Sequence, residues 1–189
     1  MKLTPLAIPG CYEVRFPMHV DQRGHFVKTF QYSAFAGLSL ETDFAETFYT
    51  VSGSNVIRGM HFQIPPADHA KMVYCVSGAV MDVALDIRGG SPSYGRHAVV
   101  ELDAEQCNGV YLSRGIAHGF AVRRAPAVLL YYVTAEHVPA LDCGIRWDSF
   151  GVQWPFTSPL VSARDEKLPR LQEYETPFTD EAMAVPAWK

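Results

Sequence analysis

What most constrains this chain is its punctuation. Gly, Pro or Asn returns roughly every ten residues, and the runs between them are short and rich in β-branched and aromatic residues. That rhythm belongs to sandwiches and barrels of many short strands. The clearest run is Lys71 to Arg88. Ser77-Gly78 in its middle is a two-residue turn signal. After it, Met81, Val83, Leu85 and Ile87 alternate with Val80, Asp82, Ala84, Asp86 and Arg88. This period of two predicts a strand with unlike faces. A second strong run spans Ala127 to Thr134, with shorter candidates at Gly24 to Phe30, Ala45 to Val51, Val56 to Gln63, Ala98 to Leu102 and Gly109 to Leu112. Helical signal is confined to one turn at Ser33 to Gly37 and one at Asp180 to Val185. The expectation is an all-β chain of one domain over residues 1–189, with an N-terminal β arm over about 1–44, a barrel core over 45–150 and a C-terminal segment with short helical pieces over 151–189.

Composition narrows the function classes. A hydrophobic content of 48% in 189 residues suits a sizeable core. The net charge of -4, without a long Lys/Arg run, argues against a nucleic-acid surface. No apolar stretch approaches the roughly 20 residues that span a bilayer, so no membrane partner is expected. The segment Met-Lys-Leu-Thr-Pro-Leu lacks a signal core, and the expected location is the cytoplasm. Cys11, Cys75, Cys107 and Cys143 form no CxxC pair and are expected to be buried free thiols.

The chemistry gathers around His61. The stretch Arg58-Gly-Met-His61-Phe-Gln63-Ile-Pro-Pro66 is followed by Lys71, and later by Ser113-Arg114-Gly-Ile-Ala-His118-Gly-Phe120. In a strand His61 and Gln63 share a face. Together the stretches resemble the two halves of a cupin, a jelly-roll barrel with its site inside. A metal-binding cupin offers two histidines, a glutamate and a later histidine. Here Gln63 replaces the second histidine and Lys71 stands near the glutamate position, which leaves only His61 and His118. Two imidazoles beside an ammonium are a poor metal site, so neither metal nor other cofactor is expected. What remains suits proton abstraction next to a carbonyl. His61 serves as a base near neutral pH, and Lys71 and Arg58 hold anionic oxygen. Tyr131 and Tyr132 are neighbours in one strand, so only one can face the barrel interior, and alternation alone does not choose between them.

Taken as a set, the motifs resemble those of the dTDP-4-dehydrorhamnose 3,5-epimerase family of cupin nucleotide-sugar epimerases. They are Asp21-x-Arg23-Gly-x-Phe26, Val56-Ile-Arg58-Gly-Met-His61-Phe-Gln63-x-Pro-Pro66, Lys71-Met-Val73, Asp82-Val-Ala-Leu-Asp86-Ile-Arg88, Ala117-His118-Gly-Phe120, Gly144-Ile-Arg-Trp147 and Ser162-x-Arg164-Asp165, within about Pro9 to Pro169. The resemblance implies that His61 is the general base, that Asp165 pairs with it, that Lys71 stabilises the enolate oxygen at sugar carbon 4 and that Tyr131 returns a proton to the opposite face. It assigns Arg23, Arg58 and His118 to substrate contacts, and implies a metal-free homodimer that exchanges strands. The substrate would be a nucleotide-linked 4-keto-6-deoxy sugar, epimerised at carbon 3, carbon 5 or both in deoxysugar biosynthesis.

Several positions depart from the family pattern. Glu46-Thr-Phe48 stands where Gln-x-Asn is usual, Lys28 where an acidic contact is common, Asp142 for a glutamate, Arg164 for a lysine and His137 for a second tyrosine. They cluster among nucleotide and sugar contacts, which leaves dTDP, CDP and GDP sugars as alternatives. Gln63 joins them as a candidate contact. Rival readings are a metal-dependent cupin oxygenase, a non-catalytic nucleotide-sugar-binding cupin and a sugar ketoisomerase on the same fold.

Overall fold

A computed structural model describes residues 1–179, so the helical turn expected at Asp180 to Val185 lies outside the described residues. Two long strands organise the chain: β7 (Lys71–Asp86) and β10 (Ile116–Val133). They run antiparallel along nearly their whole length. Around them one nine-stranded sheet follows the order β1 (Lys2–Pro5), β2 (Cys11–Arg15), β9 (Asn108–Leu112), β7, β10, β6 (Ile57–Gln63) and β11 (Asp142–Gly144), while β5 (Glu46–Ser52) pairs with β10 and β8 (His97–Asp103) pairs with β7. The hairpin of β3 (Met18–Asp21) and β4 (Gly24–Val27) forms a separate two-stranded sheet. The result is an all-β, cupin-like fold. The single helix among the described residues is α1 (Tyr32–Ala36), where the Ser33 to Gly37 turn is expected. Short 3-10 turns occupy Pro139–Leu141, Asp165–Lys167 and Leu171–Glu173. Within the first 44 residues, β1 and β2 pair into the main sheet, and only β3, β4 and α1 stand apart from it.

Ser77-Gly78 does not reverse the chain. The strand runs straight through it, and the correction has a steric cause. Gly78 takes φ +73, and a Cβ there would lie 2.2 Å from Arg124 O and 2.6 Å from Pro126 O. The glycine admits a close approach of the β10 backbone, where the register shifts between Val122 and Leu129. The runs read as Ala127 to Thr134 and around His118 are likewise one strand.

Nor do the unlike faces of β7 divide core from solvent. Met81, Val83, Leu85 and Ile87 pack under Phe150, Val152 and Phe178, which fold back over the outer face of the sheet. Val80 and Ala84 face the barrel interior with Phe120 and Leu129. Asp82 and Asp86, on that interior side, are fully buried, so any partners they have must lie inside the protein. Asp86 accepts hydrogen bonds from Arg88, Ser91 and Ser93. Among the thiols Cys11, Cys75 and Cys107 are buried, Cys143 is half-buried, and all four are free.

Candidate active site

The strands deliver their side chains to one open end of the barrel. His61 on β6 is the direct cross-strand partner of His118 on β10. The two strands approach closely here because Gly59, two residues before His61, and Gly119, the residue after His118, carry no side chain. A Cβ on Gly59 would sit 2.5 Å from Gly119 Cα, and one on Gly119 would sit 2.8 Å from Arg58 O. The ladder is irregular there, and the Gly59 N–H donates not to a strand but to Asp165 Oδ2 at 3.1 Å.

Asp165 opens a 3-10 turn in the C-terminal segment and is buried behind the histidine. Its Oδ1 lies 2.7 Å from His61 Nε2. Burial would push the Asp165 carboxyl up, but the hydrogen bond from His61, the charge on that ring, and donors from Gly59 and Ser162 hold it below the ordinary carboxylate range. A carboxylate on Nε2 favours the tautomer with the proton on that nitrogen and leaves the Nδ1 lone pair free. The arrangement orients the ring so that its other nitrogen can accept a proton.

A cavity of about 270 Å³ opens over His61. Its wall includes Glu46, Phe48, Arg58, Gln63, Lys71, His118, Tyr131, His137, Asp142 and Arg164, so the fold gathers here all but three of the residues singled out in the sequence. Of those three, Asp165 stands behind His61. The other two lie elsewhere. Arg23 is on the β3–β4 hairpin, 89% exposed and paired with Asp21, and Lys28 borders a different cavity beside Phe16, His19 and Gln31. A single protomer does not bring either to His61.

Within the cavity, Lys71 Nζ donates to the His61 carbonyl at 3.1 Å. Removal from water lowers its pKa to about 8, against the charges of Asp142 and Asp82, which act to raise it. Lys71 therefore remains mostly protonated at neutral pH, with ammonium hydrogens to offer an incoming oxygen. Tyr131 is the tyrosine of the pair that faces the interior, while Tyr132 turns outward and its hydroxyl lies 2.8 Å from Thr29 Oγ1. Burial, with the Asp82 charge adding to it, pushes the Tyr131 phenol well above its usual value, so the hydroxyl keeps its proton. Phe48, its cross-strand partner on β5, lies flat on the Tyr131 ring with centroids 4.6 Å apart and planes 11° from parallel.

Other candidates serve the cavity indirectly. Gln63 is nearly buried, and its amide ties two loops together: Nε2 donates to Ala67 O at 2.9 Å and Glu136 O at 3.1 Å, and Oε1 accepts from the Val138 N–H. Arg58 turns along the wall and donates to Ser52 Oγ at 3.0 Å. At the mouth, Asp142 Oδ2 accepts from Arg164 at 2.9 Å and lies 3.2 Å from His137 Nε2, while Glu46 accepts from the His137 N–H.

Two residues of the site escaped the sequence reasoning. Asp82 lies 2.8 Å from His118 Nε2, a second histidine–carboxylate pair, and its other oxygen has no partner among the described residues. An acid inside an apolar period-two run is the signal that could have revealed it. His69 also lines the cavity. It lies in a loop with no periodicity, and no pattern in the sequence marks it.

Comparison with known proteins gives the family. The sequence profile of the dTDP-4-dehydrorhamnose 3,5-epimerase family matches residues 5–173. The chain is 38% identical over 181 residues to a dTDP-4-dehydrorhamnose 3,5-epimerase of Mycobacterium tuberculosis (strain CDC 1551 / Oshkosh), covering 92% of this chain and 89% of that protein. It is 36% identical over 196 residues to a dTDP-4-dehydrorhamnose 3-epimerase of Streptomyces niveus, covering 99% of this chain and 95% of the relative. Its fold is similar, with a TM-score of 0.88 at 28% identity, to the dTDP-6-deoxy-D-glucose-3,5-epimerase of Legionella pneumophila Philadelphia 1 in complex with dTDP-4-keto-L-rhamnose, covering 92% of this chain and 94% of that one.

Proposed function

Since this chain belongs to the dTDP-4-dehydrorhamnose 3,5-epimerase family, we propose that it epimerises a nucleotide-linked 4-keto-6-deoxy sugar by proton abstraction and return through an enolate. The observation that carries the reading is the His61–Asp165 pair, 2.7 Å apart, at a cavity whose wall also holds Lys71 and Tyr131.

The keto group at carbon 4 acidifies the hydrogens on carbons 3 and 5. His61 Nδ1 takes one of them, and the imidazolium that forms is stabilised by Asp165. Negative charge moves onto the carbon 4 oxygen, where the Lys71 ammonium meets it. The Tyr131 hydroxyl gives its proton to the opposite face of the carbon. His61 then holds one proton more and Tyr131 one fewer, and exchange with water resets both. The product therefore carries solvent hydrogen at each inverted centre. Of the three nucleotides, dTDP has the support of the relatives, one of which is named as a 3,5-epimerase and one as a 3-epimerase.

The test is turnover in deuterium oxide with dTDP-, CDP- and GDP-linked 4-keto-6-deoxy sugars, followed by NMR. Deuterium is expected at carbon 3, carbon 5 or both. Binding without exchange would identify a non-catalytic sugar-binding cupin, and a displaced keto group a ketoisomerase.

A homodimer with exchanged strands and a cytoplasmic location complete this reading. The β3–β4 hairpin pairs with no other strand among the described residues, and it exposes Val20 and Phe26 next to Arg23. On the main sheet β5 pairs only with β10 and exposes Tyr49 and Val51. A partner's hairpin against such a surface would cover apolar area and carry a second Arg23 toward the cavity. Light scattering should give twice the chain mass. The four free thiols suit a reducing compartment.

A further inference from the structure

The cavity wall beside Lys71 includes His69, a side chain to which the catalytic reading gives no part. The ring is held firmly. Gln63 Oε1 accepts from the Val138 N–H, which fixes the orientation of that amide. Gln63 Nε2 has two hydrogens, and its two shorter contacts, 2.9 Å to Ala67 O and 3.1 Å to Glu136 O, use both. The third contact, 3.2 Å to His69 Nδ1, is therefore not a bond donated by Gln63. The surrounding bonds therefore assign the ring proton to His69 Nδ1, which faces Ala67 O 3.3 Å away. The loop that bears the ring is anchored on both sides of it: Arg114 donates to Asp68 O at 2.5 Å, and the Ala70 N–H donates to Thr134 Oγ1 at 3.0 Å.

This leaves a lone pair on His69 Nε2, without a partner among the described residues. Burial lowers the pKa of the ring to about 4, with the Lys71 and Arg114 cations adding to the effect against the Ala67 hydrogen bond and the Asp142 charge, so His69 stays neutral at physiological pH. A neutral acceptor beside an ammonium donor suits a hydroxyl next to a carbonyl oxygen. In a 4-keto-6-deoxy sugar only one neighbour of carbon 4 carries a hydroxyl, since carbon 5 bears a methyl group.

Resting on the epimerase reading, we propose that His69 Nε2 accepts a hydrogen bond from the hydroxyl at carbon 3 while Lys71 holds the carbon 4 oxygen, which makes His69 a specificity determinant for sugars hydroxylated at that position. A substrate lacking the hydroxyl leaves a buried acceptor unpaired, which costs about tenfold in recognition.

The experiment compares wild type, His69→Ala and His69→Gln on a dTDP-4-keto-6-deoxyhexose and on its 3-deoxy analogue, with kcat/KM and solvent deuterium exchange as readouts. Wild type is expected to favour the hydroxylated sugar by about tenfold. His69→Ala should lose that preference by slowing on the hydroxylated sugar alone, and His69→Gln, whose amide oxygen can also accept, should regain part of it. An equal loss on both sugars, or no loss on either, overturns the proposal and leaves His69 a wall of the loop. Absence of deuterium exchange by wild type with both sugars overturns the epimerase reading and this one with it.

Discussion

Two histidine–carboxylate pairs stand side by side on neighbouring strands, and only one is built to react. His61 and Asp165 meet at 2.7 Å, and His118 and Asp82 at 2.8 Å. The histidines are direct cross-strand partners. Yet the His61 side chain is 30% exposed, against 5% for His118. Asp165 reaches its histidine from outside the sheet, in a segment more than a hundred residues later, and pushes nothing into the cavity. Asp82 comes from β7, the strand next to β10, so its pair is part of the barrel interior. On the proposed reading, a shared donor–acceptor motif serves as a base where the ring is open to the cavity, and as a mostly structural pair where the ring is nearly buried.

The largest expected effect falls on the exposed pair. His61→Asn removes the base and should reduce turnover by about 10²- to 10⁴-fold, while thermal unfolding shows little loss of stability. A fold that collapses in this variant would erase the contrast with His118. Asp165→Asn keeps the shape but can present an amide hydrogen to Nε2, which favours the wrong tautomer. A drop of about 10²-fold in kcat is expected, with solvent deuterium exchange reduced in parallel. His118→Ala inverts the pattern. It leaves the Asp82 carboxylate buried and unpaired, and a stability loss of about 3–5 kcal/mol should appear in denaturant unfolding.

On the same proposed reading the buried pair would bear on the reaction at a distance, because the Asp82 charge helps to keep Lys71 protonated. Lys71 must carry its proton to meet the enolate, so kcat/KM should fall as pH rises through about 8. Lys71→Met should abolish that basic limb, and Asp82→Asn should move it to lower pH. The smallest effect comes from a histidine with no carboxylate. The folded state holds His69 at about 4, below its ordinary 6.5, so the unfolded chain takes up the proton first as the solution is acidified. Stability should therefore decline between those two values, and His69→Gln should flatten that part of the pH–stability curve.

The legibility of these features in the sequence follows their physical range. Period-two runs and glycine spacing depend on neighbours, so β6, β8 and β9 lie close to where their patterns put them. Ser77-Gly78 misled because a glycine reversing the chain and a glycine admitting another backbone look the same until Arg124 and Pro126 are in place. The choice of Tyr131 over Tyr132 needed the aromatic cluster of Phe30 and Phe44, which draws Tyr132 outward. The carboxylate behind His61 is separated from it by 104 positions. No local rule connects the two, and the resemblance to a family supplied that expectation. His69 depends on loops pinned by Gln63 and Arg114, an arrangement that exists only in three dimensions.

The irregular pairing of β6 with β10 at Gly59 and Gly119 bears on how such a chain could change its substrate over evolutionary time. Neither glycine tolerates a side chain, since each faces backbone at less than 3 Å. Variation at this pairing would disturb the Gly59 bond to Asp165, and with it the His61–Asp165 pair, before it altered what binds. Glu46, Phe48, His137 and Arg164 stand at the mouth or on the far wall, where new side chains meet ligand or solvent. Descent can therefore rewrite the list of accepted sugars at the rim, one tolerated step at a time, while the proton-moving centre is inherited intact.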